Sequence, residues 1–283
     1  VQSIAVTVTN SNFAPIITSG GGEETANVNV AENSTAVMTG AATDADNDTL
    51  TYSIIGGADQ DKFAINATTG ELSFVTAPDF ETPTDAGGNN SYEVTVQVSD
   101  GQGGFDTQTI TVNVTNLNDN TPVISSDGGG VSANINVAEN TTAVTTVVAT
   151  DGDTGATITY SISGGADATL FDIDPTTGVV TFKAAPDREA PGDVGADNVY
   201  DIVVRASDGT NFDEQALAIT VTNVNDNSPV ITSNGGGVSA NINVAENTTA
   251  VTTVTATDAD ASSTLTYSIS GGPDAAKFSI NSI

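Results

Sequence analysis

A chain of 283 residues with 36 acidic against 5 basic side chains carries a formal charge of −31, and it contains no His, Cys or Trp. This composition excludes disulfides, His- or Cys-based catalysis and the usual zinc, copper and haem sites, while a pI near 4.1 repels phosphate backbones and anionic lipid. The donors left in number are carboxylates, amides, hydroxyls and backbone carbonyls, which suit hard cations such as calcium. No run approaches the roughly 18 apolar residues of a membrane-spanning helix, and no charged-then-apolar leader opens the chain. The sequence is therefore expected to be a soluble internal or mature piece of a longer protein.

Taken in chain order, Val1–Asn10 (VQSIAVTVTN) matches the run TQTITVNVTN at 107–116 and reads as the closing strand of a preceding unit. VNVAENSTAV around Glu32 returns as INVAENTTAV around Glu139 and again around Glu246, 107 residues apart each time. Thr121–Asp151 and Ser228–Asp258 differ at four positions. Self-similarity at a fixed period marks tandem units. The expected division is 1–14 (closing strand and linker), 15–120 and 121–227 (full repeats) and 228–283 (about half a repeat).

Inside a repeat the period is two. Tyr92, Val94, Val96 and Val98 alternate with Glu93, Thr95 and Gln97, and Ile110, Val112 and Val114 alternate with Thr111 and Asn113. Such alternation indicates half-buried strands. Turn chemistry punctuates them at Asn66–Gly70, Asp174–Gly178, Asp100-Gly101 and Asp208-Gly209. With no sustained helical stripe, the expectation is an all-β chain of tandem seven-stranded Greek-key β-sandwiches with packed antiparallel sheets. The recurring aromatics Tyr52/Tyr160/Tyr267, Phe63/Phe171/Phe278, Phe74/Phe182 and Tyr92/Tyr200 fall at apolar phase and are expected in the core.

The acids recur in a fixed order at strand ends. One Glu follows the first strand (Glu32, Glu139, Glu246), and an Asp-x-Asp closes the second (Asp44/Asp46, Asp151/Asp153, Asp258/Asp260). Then come an Asp-x-Glu (Asp79/Glu81, Asp187/Glu189), an Asp-Gly (Asp100, Asp208) and an Asn-x-Asn-Asp-Asn-x-Pro linker (Asn116–Pro122, Asn223–Pro229). With Ala-Glu-Asn, Ala-Thr-Asp-Ala-Asp, Asp-Arg-Glu and Ala-Ser-Asp-Gly in this order, nearly the whole chain resembles cadherin repeats, specifically the bacterial cadherin-like kind.

The resemblance implies a cadherin/immunoglobulin-like sandwich and about three calcium ions at each complete junction. At the first junction it implies Glu32, Asp79, Glu81, the carbonyl of Leu117, Asn118, Asp119, the carbonyl of Asn120, Asp151, Asp153 and Asp208. At the second it implies Glu139, Asp187, Glu189, the carbonyl of Val224, Asn225, Asp226, Asn227, Asp258 and Asp260. In the linker before the first repeat Ser11–Pro15 replaces the Asn-Asp-Asn pattern, although Asp44, Asp46 and Asp100 of that repeat persist. Asn116 and Asn223 stand where the family commonly has Asp.

The function so implied is a calcium-stiffened extracellular stalk or adhesion segment of a surface protein, its first partners being the neighbouring repeats. The alternatives are a carbohydrate-binding or homophilic adhesion module, or a filament subunit in which residues 1–10 complete the half repeat of another copy. No catalysis is expected, because almost every clustered acid has a ligand role, and nucleic acid and membrane insertion are not expected as partners. An EF-hand fails at Asp44-Ala45-Asp46-Asn47-Asp48, since Thr49 and Ile55 occupy its Gly and Glu positions. GGGVSAN at 128–134 and 235–241 lacks the Lys of a phosphate loop and reads as flexible. Asp48, Asp59, Asp61, Glu93 and Asp106 are expected to be ordinary turn or solvent-face acids.

Overall fold

The computed structural model describes residues 1–7 and 11–283, and they divide into two compact units. The first comprises residues 1–120 with 151–156, the second 121–150 with 157–283.

In the first unit, strands follow as β1 (Ile16–Ile17), β2 (Thr25–Ala31), β3 (Ala36–Thr39), β4 (Ala42–Thr43) and β5 (Thr51–Gly56). Next come β6 (Phe63–Ile65), β7 (Glu71–Phe74), β8 (Ser91–Ser99) and β9 (Phe105–Thr115). A four-stranded sheet in the order β2-β9-β8-β5 and a three-stranded sheet β3-β7-β6 make the seven-stranded sandwich, with β1 and β4 as an extra two-residue ladder. The period-two reading holds in detail. Tyr92, Val94, Val96 and Val98 of β8 and Ile110, Val112 and Val114 of β9 are buried between the sheets. Phe63 stacks on Phe74 with centroids 4.6 Å apart, and Tyr92 meets Phe74 edge-on at 5.1 Å.

One pairing differs from the expected all-antiparallel sheets. β2 runs parallel to β9, from Thr25↔Thr109 to Ala31↔Thr115. The first and last long strands therefore finish at the same pole, so Glu32 and the linker after Thr115 emerge side by side. The Glu32 N–H donates to Thr115 O at 3.1 Å.

Two acids expected on the solvent face are instead structural. Asp59 is buried and accepts the N–H groups of Ala86 (2.6 Å) and Glu93 (2.9 Å), and Asp106 accepts the N–H of Ile17 at 2.8 Å. Each satisfies backbone donors that no ladder reaches. Gln108 is also buried within β9, where its amide donates to the carbonyls of Ser19 and Glu23.

The second unit repeats the plan with β10 (Val123–Ile124), β11 (Ser132–Ala138), β12 (Ala143–Thr146), β13 (Ala149–Thr150) and β14 (Thr159–Gly164). It continues with β15 (Phe171–Ile173), β16 (Val179–Phe182), β17 (Val199–Ser207) and β18 (Phe212–Thr222). Its sheets are β11-β18-β17-β14 and β12-β16-β15, again with β11 parallel to β18. Gly165, at φ 104°, sits where an added Cβ would lie 2.3 Å from Ile202 Cα, so the turn after β14 needs glycine.

Residues 228–283 contribute the short pair β19 (Val230–Ile231) and β20 (Ala256–Thr257), while Val244, Ile269 and Phe278 are exposed. Tyr267 keeps one contact of its counterpart: its hydroxyl accepts the Ala256 N–H, as that of Tyr160 accepts Ala149 N–H. Residues 1–7 form no strand, and Val8–Asn10, the rest of the expected closing strand, lie outside the described residues.

Candidate metal centre

Of the acids expected at the junctions, Glu32, Glu81 and Asp119 converge where strand ends and loops of the first sandwich meet, as Glu139, Asp187 and Glu189 do in the second. Among the described residues, Asp79, Asp100 and Asp258 fall in no such cluster. In the first unit Glu32 is 2% exposed, and its two carboxylate oxygens accept the N–H of Leu117 and of Phe80, both at 2.7 Å. One side chain thus ties the end of β2 to the linker and to the Asp79–Glu81 loop. Asp79 shapes that loop by accepting the N–H groups of Glu81 (3.0 Å) and Thr82 (3.1 Å). Carboxylate oxygens of Glu32, Glu81 and Asp119 lie within 4.8 Å of one another. Burial, followed by the charge of Glu32, raises the Glu81 carboxyl above its ordinary range.

The turn at 151–153 belongs to this unit. Asp153 N–H donates to Asp151 Oδ1 at 2.9 Å, and Asn120 donates to Asp153 through its backbone N–H and its side-chain amide, each at 3.0 Å. Asp119 accepts the side-chain amides of Asn33 and, at 3.3 Å, Asn120. The carbonyl of Leu117 accepts the Asn116 amide at 3.0 Å, and Asn118 lies in the exposed linker.

The second unit builds the same arrangement across repeats two and three. Glu139, 1% exposed, accepts Val224 N–H at 2.6 Å and Arg188 N–H at 2.8 Å. Asp187 accepts the N–H groups of Glu189 (2.9 Å) and Ala190 (3.2 Å). Glu139, Asp187 and Glu189 form one cluster within 4.8 Å, and Glu189, Asp226 and Asp260 form a second. Glu189 joins the two, so five carboxylates from four chain segments are connected.

Asp226 accepts the amides of Asn140 (2.6 Å) and Asn227 (2.9 Å). Asp260 accepts the backbone N–H (2.9 Å) and amide (3.0 Å) of Asn227, while its own N–H donates to Asp258 at 3.0 Å. Asn223 spends its carbonyl oxygen on Ala261 N–H at 3.0 Å, and Val224 and Asn225 lie in the exposed linker.

Two neighbouring glutamates are pushed in opposite directions. The Val224 N–H, ahead of the opposing effect of burial, holds Glu139 below its ordinary range. Burial, followed by the charge of Glu139, raises Glu189. The Asn227 amide keeps Asp260 low.

Within the first repeat, beside the linker that enters it, Asp44, Asp46 and Asp48 form a further cluster. Asp48 was expected to be an ordinary turn acid; the tight turn that donates Asp46 and Asp48 N–H to Asp44 Oδ1 folds it inward. Burial, then Asp44 and Asp46, raise its carboxyl. Phe13 N–H donates to Asp46 at 2.7 Å and the Asn12 amide to Asp100 at 2.8 Å, so amide donors face these acids where other linkers bring Asp-Asn. In the second unit Asp208 accepts the N–H groups of Thr210 (2.6 Å) and Asn211 (2.7 Å).

The donor set fits calcium. All of it is oxygen, and Glu81 Oε1, Asp44 Oδ2 and Asp151 Oδ2 are buried without a hydrogen-bond donor. Buried acceptors are rarely left so, and unit charges 4 Å apart repel by about 4 kcal/mol at an effective dielectric of 20. Divalent cations held by Glu32, Glu81, Asp119, Asp151 and Asp153, or by Glu139, Asp187, Glu189, Asp226 and Asp260, would turn that repulsion into cross-linking.

The cadherin domain family matches this chain at residues 26–115 and 133–224. Human Protocadherin Fat 1 is 36% identical over 189 residues, 64% of this chain and 4% of that protein. The Drosophila melanogaster protocadherin-like wing polarity protein stan is 36% identical over 254 residues, 85% of this chain and 7% of that protein. The chain thus spans under a tenth of the length of either relative. Among solved structures, mouse Cadherin-23 EC22-24 aligns with TM-score 0.69 at 24% identity, covering 96% of this chain and 86% of that one, which bears on the fold alone. The repeat, the sandwich and the acid order agree with the family match: the chain belongs to the cadherin domain family and is a run of its extracellular, cell-surface repeats.

Proposed function

We propose that this chain binds calcium between successive repeats and serves as a calcium-rigidified stalk or adhesion segment of an extracellular surface protein. The observation that carries the reading is the five-carboxylate patch of the second unit, in which Glu139, Asp187, Glu189 and Asp226 meet Asp260 of the following repeat. With the cation absent, these charges push the two repeats apart. With it bound, ligands from both sides fix the angle between them.

At free calcium tenfold above Kd, each site adds about 1.4 kcal/mol, a sizeable share of a domain stability of about 5–15 kcal/mol. For a Kd of about 0.1 mM that excess needs free calcium of about 1 mM, the level found outside cells. About three ions per complete junction, Asp208 included at the first, is the stoichiometry the resemblance implies. The relatives named above are animal proteins, which points away from the bacterial cadherin-like kind that the sequence was expected to represent; the near-identity of Thr121–Asp151 and Ser228–Asp258 supports a spacer array of redundant copies. Binding of like copies or of surface polysaccharide is the second reading, in keeping with relatives named protocadherins.

Small-angle scattering of the full chain in calcium and in EDTA tests the proposal. The expected result is a longer maximum dimension and a narrower distance distribution in calcium, with ion uptake by titration calorimetry. No heat of binding and superimposable curves refute it.

A further inference from the structure

We infer that Asn33 and Asn140 are positioning residues that preset the linker aspartates Asp119 and Asp226 for the cation, an inference resting on the calcium reading above. Both follow the buried glutamate of their repeat, and both have left-handed backbone, φ 61° and 62°. Glycine meets that backbone requirement without a side chain. Asparagine adds an amide.

In the first unit the Asn33 amide donates to Asp119 Oδ2 while its backbone N–H donates to Pro78 O at 2.9 Å. In the second the Asn140 amide donates to Asp226 Oδ2 at 2.6 Å and its N–H to Pro186 O at 2.9 Å. One residue therefore links the end of β2 or β11, the Asp-x-Glu loop and the linker, three segments that carry ligand oxygens.

The opposite oxygen of each aspartate accepts the Asn120 or Asn227 amide. The carboxylate is thus gripped from both sides by neutral donors. Each oxygen keeps a further lone pair for a cation. Partial positive N–H groups also offset part of the repulsion from Glu81 or from Glu189 and Asp260. The arrangement holds in both copies although the loop residue beside it changes from Phe80 to Arg188. Partners that orient metal ligands typically govern 10–100-fold in metal affinity.

The test is the Asn33→Gly/Asn140→Gly double variant of the full chain, titrated with calcium by calorimetry and melted in EDTA. The expected result is calcium affinity weaker by about 10-fold or more, with a melting temperature in EDTA lowered only by the entropy of glycine, under about 8 °C. Unchanged affinity overturns the inference while wild-type binding leaves the calcium reading standing. A larger fall of the EDTA melt with affinity retained also overturns it, because the amides then serve the turn alone. Absence of calcium binding by the wild type overturns both.

Discussion

Replacing Glu139 by Gln and Glu189 by Gln should change the stability of the metal-free second repeat in opposite directions. Glu139 is 1% exposed and accepts two backbone N–H groups, from Val224 at 2.6 Å and Arg188 at 2.8 Å. Glutamine keeps one acceptor and turns an NH2 toward the other donor. The loss is one charge-assisted bond worth about 1.5–3 kcal/mol, with an N–H left facing a donor. Relief of repulsion from Glu189 and Asp260 works the other way.

The direction of the Glu139 shift decides between these effects. Its folded pKa lies below the ordinary 4.5, chiefly through the Val224 N–H, so its charge favours the fold despite its neighbours. That stability is present above the unfolded pKa and is lost as pH falls through the folded one. Glu189 is shifted upward by burial and by Glu139, so its charge opposes the metal-free fold. Calorimetric melts of the full chain in EDTA at pH 7 should show Glu139→Gln lower by about 10–20 °C in one transition, from roughly 2–3 kcal/mol. Glu189→Gln should melt at or above wild type. In calcium both variants should lose part of the cation's stabilisation. A Glu139→Gln protein as stable as wild type in EDTA, or a destabilised Glu189→Gln, would refute the reasoning.

The remaining expectations concern acid and the core. Asp193 is buried, which raises its carboxyl, but the N–H groups of Asp197 and Asn198 prevail and hold it below 3.8. Its contribution is therefore complete above about pH 4 and fades as pH falls through the lower folded value. Circular-dichroism melts in EDTA should show that Asp193→Asn loses stability at pH 6 and varies less with pH below 4. Phe171 packs 4.4 Å from Phe182 and edge-on to Tyr200. Phe171→Ala should cost about 3–5 kcal/mol in urea unfolding of the second repeat, and a cost below 1 kcal/mol would contradict the assigned core.

Much of this was legible in one dimension because the chain repeats itself. A 107-residue period and the alternation along Tyr92–Val98 determine the repeating plan, strand character and inward faces, and the ordered acids carry the family resemblance. Each of those signals is local, set by side-chain chemistry and the two-residue period of a strand. Asn33 and Asn140 were visible beside their glutamates, but nothing near them names Asp119 or Asp226, 86 positions away in each case.

Tertiary structure alone decided the rest. Parallel pairing of β2 with β9 brings Glu32 to the linker, and no periodicity reports strand direction. Asp48, Asp59 and Asp106 look like surface acids in sequence, yet the fold draws the first into a cluster and gives the other two backbone N–H groups to satisfy. The opposite shifts of Glu139 and Glu189 likewise come from which donors and charges the fold sets beside two similar carboxylates. Composition determines that negative oxygen is plentiful. Long-range pairing determines which of it accepts the protein's own N–H groups and which, like Glu81 Oε1 and Asp151 Oδ2, is buried without a donor.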